Sequence, residues 1–368
     1  MNFRFGIEHE VAFLRPDGQF ADYANTSFAE FQAIVATLPQ YVEDYPQLRI
    51  GDAGIKVKRW YIEGYERFSE RGEVIDCPPK GIEIRTTVHT GIGGAIAELS
   101  QSFDQLCTAA AAFGFIPILT SFHPHRTRFE PMPPLNSFEQ QRRRNSPEKQ
   151  TAHIPMLTQG PDLNLSAPGF STAQLIDLAR KLTYLSPFIL PFSYSSPFYA
   201  SSAWAGLSVR TFYRTGPRPA AMVFLADPAD LIEVQPSLTK PARIAAETGR
   251  IEFKAFDSCG DFGLYGSLLA LLKGLLLDET LIGRATVPDA ALHRRSARVG
   301  FADDEIYAGA KGAIAAASAA LASDPDRGRL EPLKVRLAQR YSPAQQMLDD
   351  YRQGRPILEI LRRGYSAQ

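Results

Sequence analysis

The chain has 368 residues, 45% hydrophobic and 22% charged, and its 40 basic residues balance its 40 acidic ones. That length fits one large domain or two average ones around a sizeable core, and the zero net charge excludes a global basic field that would draw the chain to nucleic acid or an anionic membrane. Cys77, Cys107 and Cys259 are widely spaced and odd in number, so neither a disulfide framework nor a zinc site is expected.

The N-terminus shows no charged segment leading into an apolar one. The longest apolar run, YGSLLALLKGLLL, contains Lys273 and is too short to span a bilayer. A cytoplasmic setting is therefore expected, with small molecules as partners. Homo-oligomerisation is left open.

The first strand, in MNFRFGIEHEVAFL, ends at the turn Arg15-Pro16-Asp17-Gly18. NTSFAEFQAIVATLP then predicts a helix, with Ser27 and Glu30 as a capping box and Pro39 as its stop. Residues 48–68 alternate and predict a pair of strands around a glycine-containing turn. KGIEIRTTV predicts a strand, GIGGAIAELSQSFDQLCTAAAAFG a long helix, and FIPILTSFHPH a short buried strand. Residues 124–152, rich in Pro, Arg, Gln and Asn, predict an irregular loop insertion. PDLNLS is strand-like, STAQLIDLARKLTYLSPFIL a helix, and GRIEFKAFDSC a late strand before an apolar helix at 262–278. The stretches AGAKGAIAAASAALAS and 342–364 are further helices, and 300–368 reads as a C-terminal helical part packed on the sheet. Strands and helices mix without strict alternation, which predicts an α+β fold over a single catalytic domain, 1–368.

One short pattern recurs. GIEHE at 6–10, GIEIR at 81–85 and RIEFK at 250–254 each place an Ile-Glu on a strand, with a charged residue two positions on. Period-two alternation puts Glu8 with Glu10, Glu83 with Arg85, and Glu252 with Lys254 on one face. Crowded carboxylates repel unless cations offset them. Oxygen-only ligands suit Mg²⁺ or Mn²⁺, and Arg85 and Lys254 suit phosphate or carboxylate oxygens. On pattern alone a solvated antiparallel strand face explains this alternation as well as a metal–nucleotide site does.

In order and spacing, residues 6–260 resemble the glutamate–cysteine ligase superfamily, in particular its bacterial carboxylate–amine ligase branch. Gly6-Ile7-Glu8-His9-Glu10 matches the opening Glu-x-Glu strand. Asp76 and Glu83, in DCPPKGIEIR, match an Asp seven residues before a strand Glu. PDLNLS stands in the place of a His-x-Asn-x-Ser strand, SYSSPF followed by Ser208-Val209-Arg210 matches the Ser-Pro-Phe and Ser-x-Arg elements, and RIEFKAFD matches Ile-Glu-x-Arg before an Asp. FHPHRTR around His123 resembles the branch's Thr-His-Pro loop. Two departures concern the substrate more than the reaction type. Asp162 stands where the family has histidine, and Lys254 where it has arginine, which loses bidentate geometry but keeps the charge.

The resemblance implies a curved, mainly antiparallel sheet forming a funnel, with helices packed outside, as in the glutamine synthetase and glutamate–cysteine ligase group. It implies ATP-dependent amide formation, γ-glutamyl in the parent family, through an acyl phosphate. Glu8, Glu10, Asp76, Glu83, Asp162 and Glu252 would hold two or three Mg²⁺ ions. Lys254 and Arg210 would bind the nucleotide and stabilise the transferred phosphoryl group, while Arg85 and His123 would serve the amino-acid substrate. Two other readings stay open: a metal-dependent phosphotransferase or phosphohydrolase on the same face, and a non-catalytic nucleotide-binding relative. Other residues read as structural. His9 points away from the carboxylates, Cys259 reads as a small buried hydrophobe, and Trp60, Tyr61, Tyr65 and Trp204 read as packing aromatics. GIGG at 91–94 lacks a P-loop ending.

Overall fold

The structure, a computed structural model, describes residues 2–44, 59–166 and 169–365. Its strands are β1 (Arg4–Leu14), β2 (Trp60–Gly64), β3 (Arg67–Phe68), β4 (Val74–Asp76), β5 (Pro79–Arg85), β6 (Ile116–Ile118), β7 (Pro161–Ser166), β8 (Phe198–Tyr199), β9 (Ser202–Ala203), β10 (Ala221–Leu225), β11 (Thr239–Pro241) and β12 (Arg250–Phe253). The helices are α1 (Phe28–Ala36), α2 (Ile92–Ala112), α3 (Ser137–Arg144), α4 (Pro147–Gln150), α5 (Thr172–Ile189), α6 (Val209–Arg214), α7 (Phe262–Leu277), α8 (Ala290–Val299), α9 (Asp304–Ala320), α10 (Glu331–Ala338), α11 (Pro343–Arg352) and α12 (Ile357–Arg363).

Eight strands form one curled sheet in the order β11-β10-β12-β7-β1-β5-β2, with β6 also pairing β1. Every pairing in it is antiparallel except β10 with β11. This is the expected mainly antiparallel α+β sheet.

Alternation along β1 sends Phe5, Ile7, Val11 and Phe13 into the core and Glu8 and Glu10 to the opposite face. Helices α2, α5 and α7 cover the core face, touching β1, β5, β7, β10 and β12. Helix α7 is buried on nearly all sides because α2, α9 and the sheet surround it. Its Lys273 is neutralised by Asp324 and Asp326, at 2.7 and 2.8 Å. No described helix is long and apolar enough to cross a membrane. The C-terminal helices reach the sheet chiefly through others: α9 lies on α5 and α7, while α12 lies on β6.

The predicted capping box of α1 forms between Ser27 and Glu30. The strand pair expected over 48–68 falls partly outside the described residues, and β2 and β3 are its described part. The segment 124–152 is more ordered than its composition predicts. Asn136 and Glu139 form a capping box that starts α3, and Glu139 also pairs with Arg67 on β3 at 2.7 Å. The sequence hides this helix because α3 has no apolar stripe: Glu139 is its buried residue.

Candidate active site

The sheet's concave face lines a cavity of about 1720 Å³. Register determines which side chains meet there. Glu8 lies opposite Asp162 on β7 and Arg85 on β5, Glu10 opposite Glu83, and Asn164 opposite Glu252. Two carboxylate clusters result, Glu8–Asp162–Glu252 and Glu10–Glu63–Glu83, each with oxygens within 4.8 Å of one another.

Five of the six expected metal ligands therefore meet, and they meet as two groups. Asp76 does not join them. It is exposed on the β3–β4 hairpin, where its Oδ1 accepts the Cys77 N–H at 2.8 Å. Glu63 takes part instead. The sequence carried only a weak signal for it: Ile62-Glu63 is one of five Ile-Glu dipeptides, beside Ile7-Glu8, Ile82-Glu83 and Ile251-Glu252, but Ile232-Glu233 is the fifth and joins neither cluster.

Tyr61, expected as a packing aromatic, places its hydroxyl against both Glu63 and Glu83, 2.6 Å from the latter. Lys80 was also missed. The β2–β5 register shifts at Glu63 and Gly64, breaking strict alternation next to it. Its Nζ lies 2.9 Å from Glu10 Oε1 and 2.7 Å from the Thr158 carbonyl.

Lys254 bridges the first cluster. It bonds Asp162 and lies 2.5 Å from Glu252. Arg250 stands 3.1 Å from Glu252 and 3.6 Å from Glu8. Arg85 lines the cavity, but its Nε donates to Glu83 at 2.9 Å and its guanidinium lies over the Tyr61 ring at 3.7 Å. His123 is not among the lining residues. It is buried, and its Nε2 is 3.0 Å from Asp22. His9, as expected, faces away from the carboxylates, with its ring nitrogens 2.9 Å from the hydroxyls of Tyr265 and Tyr365.

Arg210 is held from behind. Buried Asp257 accepts hydrogen bonds from the Ser195 N–H, the Ser196 hydroxyl and the Ser208 hydroxyl, at 3.0, 2.7 and 3.0 Å. Ser208 caps α6 by accepting the Thr211 N–H at 2.9 Å. The Arg210 guanidinium donates to the carbonyls of Ala255 and Lys254 at 2.8 and 2.9 Å. Arg214 follows one helical turn later and also lines the cavity. Neither arginine has a carboxylate within 4.0 Å among the described residues.

Burial, opposed by Lys254 and reinforced by Glu252 and Glu8, pushes the Asp162 carboxyl up to about 7. Burial also tends to raise Glu252, yet Lys254 and Arg250 hold it down at about 2. Burial keeps Glu83 well above the usual carboxylate range and raises Glu10 against the pull of Lys80.

The first cluster fits a hard divalent cation. Its donors are all oxygen, and the neighbouring Asn164 carries a buried Oδ1 with no hydrogen-bond partner.

Comparison by sequence finds no matching family model and no matching curated protein. Comparison of folds finds solved ligase structures. A bifunctional glutathione synthetase from Pasteurella multocida superposes with a TM-score of 0.58 at 11% identity, over 100% of this chain and 52% of that one. The ligase PafA, in complex with the prokaryotic ubiquitin-like protein Pup, gives 0.50 at 12% identity, over 98% of this chain and 66% of that one. The chain thus spans about half to two-thirds of the length of these neighbours. Its curled sheet with outer helices is the fold that it shares with these two ligases.

Proposed function

We propose that the chain is an ATP- and divalent-metal-dependent carboxylate–amine ligase joining small molecules, with an amino acid as the acid component and γ-glutamyl transfer as the first chemistry to try. The observation that carries this reading is the pairing, across one cavity, of an all-oxygen cluster with two arginines that have no carboxylate partner among the described residues. Such a cavity offers positions for a cation and for phosphate oxygens side by side. The fold neighbours, a synthetase and a ligase, support it.

In the proposed reaction a substrate carboxylate attacks the γ-phosphorus of ATP, and ADP leaves with the electrons of the broken P–O bond. The acyl phosphate is then attacked at carbon by an amine, and phosphate departs as the amine loses a proton. A divalent ion held by Glu8, Asp162, Glu252 and the Asn164 carbonyl oxygen would supply charge neutralisation for the phosphates. Arg210, fixed by two backbone carbonyls, and Lys254 would bind oxygens of the transferred group and stabilise the charge that develops on it. Arg214 would extend that row. Positioning is the chain's main contribution, since phosphoryl transfer asks for little covalent chemistry from the protein.

The deciding experiment incubates the chain with Mg²⁺-ATP and a panel of amino acids, adding hydroxylamine in place of the amine. Hydroxamate formation that depends on both ATP and one acid is expected, because hydroxylamine intercepts an acyl phosphate. Phosphate release without any acid would point to a phosphohydrolase instead. Absence of nucleotide binding by calorimetry would point to a non-catalytic relative.

A further inference from the structure

The two carboxylate clusters differ in how fully the chain itself satisfies them. In Glu10–Glu63–Glu83 the chain's own donors already serve Glu10 and Glu83, and the single Tyr61 hydroxyl proton alternates between Glu63 and Glu83. Glu10 accepts from Lys80 Nζ and from the Gly160 N–H, both at 2.9 Å. Glu83 accepts from Arg85 Nε at 2.9 Å and from the Tyr61 hydroxyl at 2.6 Å. Glu63 meets the same Tyr61 hydroxyl with one oxygen, and its other oxygen is 4.0 Å from Lys80 Nζ. Lys80 has a side chain only 3% exposed and is anchored by the Thr158 carbonyl at 2.7 Å. That carbonyl gives the ammonium a partner that no divalent ion need displace, and burial keeps water from replacing it.

In Glu8–Asp162–Glu252 the counter-cation sits differently. The Lys254 side chain is 18% exposed, at the edge of the cavity, and its hydrogen-bond partners are the carboxylates Asp162 and Glu252. Oε2 of Glu8 and Oδ1 of Asp162 accept no hydrogen bond from any described residue, and Asn164 Oδ1 is buried without a partner. These are the oxygens a cation would take.

We propose that Lys80 is a built-in cation that closes the Glu10–Glu63–Glu83 cluster to divalent ions, leaving Glu8–Asp162–Glu252 as the chain's ion site. This rests on the metal-dependent reading above and revises the count of two or three ions to one on the protein's own ligands. An ammonium held in place by the fold supplies one positive charge where an ion would supply two. The second cluster then works as a fixed wall of the cavity, stiffened by Tyr61 and Arg85.

The test counts Mn²⁺ bound to the full chain, without nucleotide, from the loss of the free-ion electron paramagnetic resonance signal. One equivalent is expected for the wild type, none for Glu8→Gln, and one still for Glu10→Gln. Lys80→Met is expected to bind a second equivalent, which adding Glu10→Gln removes. Melting curves check that Lys80→Met folds, and Lys80→Gln serves as the second variant. Loss of an equivalent in Glu10→Gln alone would overturn the inference, as would a wild-type count in folded Lys80→Met and Lys80→Gln. If the wild type binds no Mn²⁺ while Lys80→Met binds one, the closure by Lys80 stands and the proposed metal chemistry falls.

Discussion

Gly160 and Arg210 share one space: a Cβ on Gly160 would stand 2.2 Å from a guanidinium nitrogen of Arg210. The glycine's N–H donates to Glu10 while its bare α-carbon lets the guanidinium lie flat beside β7 and reach the carbonyls of Lys254 and Ala255. Gly160→Ala is therefore expected to displace Arg210 and break buried charge-assisted bonds. That should lower unfolding free energy by about 1–3 kcal/mol and ATP-dependent turnover at least about tenfold. Turnover within about twofold of wild type would remove Arg210 from the reaction.

The Asp162 carboxyl predicts an unusual pH dependence in the presence of a chelator. Its value rises from an ordinary 3.8 to about 7 in the folded state. Between those values the folded chain holds a proton that the unfolded chain has lost, so stability falls as pH rises through this window. Glu10 and Glu83, also raised by burial, act with the same sign. Glu252 works oppositely, but its stabilisation is complete above its ordinary 4.5 and fades only as pH falls toward about 2. His9 and His293, held by burial at about 3 and about 4, oppose this trend up to their ordinary 6.5, so the Asp162 contribution is read as a difference: the melting temperature of the wild type minus that of Asp162→Asn, both with chelator, should decline from pH 5 to pH 7.5. A difference that stays level or climbs over this range would show Asp162 to be an ordinary paired carboxylate.

Much of this face was legible because strands write their faces in period two. Glu8, Glu10, Glu83 and Glu252 alternate with apolar neighbours that fill the core, and the structure brings all four into the cavity. Asp162 and Arg210 were reached only through the resemblance, since one acid on a strand or one arginine on a short helix carries no pattern. Lys80 was invisible for a physical reason: the register shift beside it interrupts alternation, so parity assigns it to the wrong face. Asp76 failed in the opposite way. Its spacing to Glu83 fits the family, but the short β3–β4 hairpin carries it out to solvent. Helices α1, α2, α5 and α7 declared themselves through caps and apolar runs, whereas α3 is held by contacts across space to Arg67 and Phe68, which no local reading shows.

Tyr61 holds one hydroxyl against buried Glu83 and half-buried Glu63. Tyr61→Phe keeps the ring and its stacking under Arg85 but leaves Glu63 and Glu83 without that donor. The loss is expected to be about 1–3 kcal/mol in urea unfolding, with the slope of the transition unchanged. Adding Glu63→Gln, whose amide can donate to Glu83, should recover part of it. An unaltered midpoint in Tyr61→Phe would mean that water or Arg85 satisfies both acids.

Lys254 separates its structural role from its proposed catalytic one. As the ammonium between Asp162 and Glu252 it offsets two partly buried negative charges, so Lys254→Met in chelator should cost about 3–5 kcal/mol, the usual penalty for stranding one side of such a pair. A divalent cation offers the same carboxylates a substitute charge. Saturating Mg²⁺ should therefore restore the melting temperature of Lys254→Met by more than it raises that of the wild type, through mass action on the folded state. Turnover should remain low despite the rescue, because the cation cannot replace the ammonium beside the transferred phosphoryl group. Equal Mg²⁺ shifts in both proteins would place the ion away from Asp162 and Glu252. Full recovery of turnover with stability would leave Lys254 as a counter-ion alone.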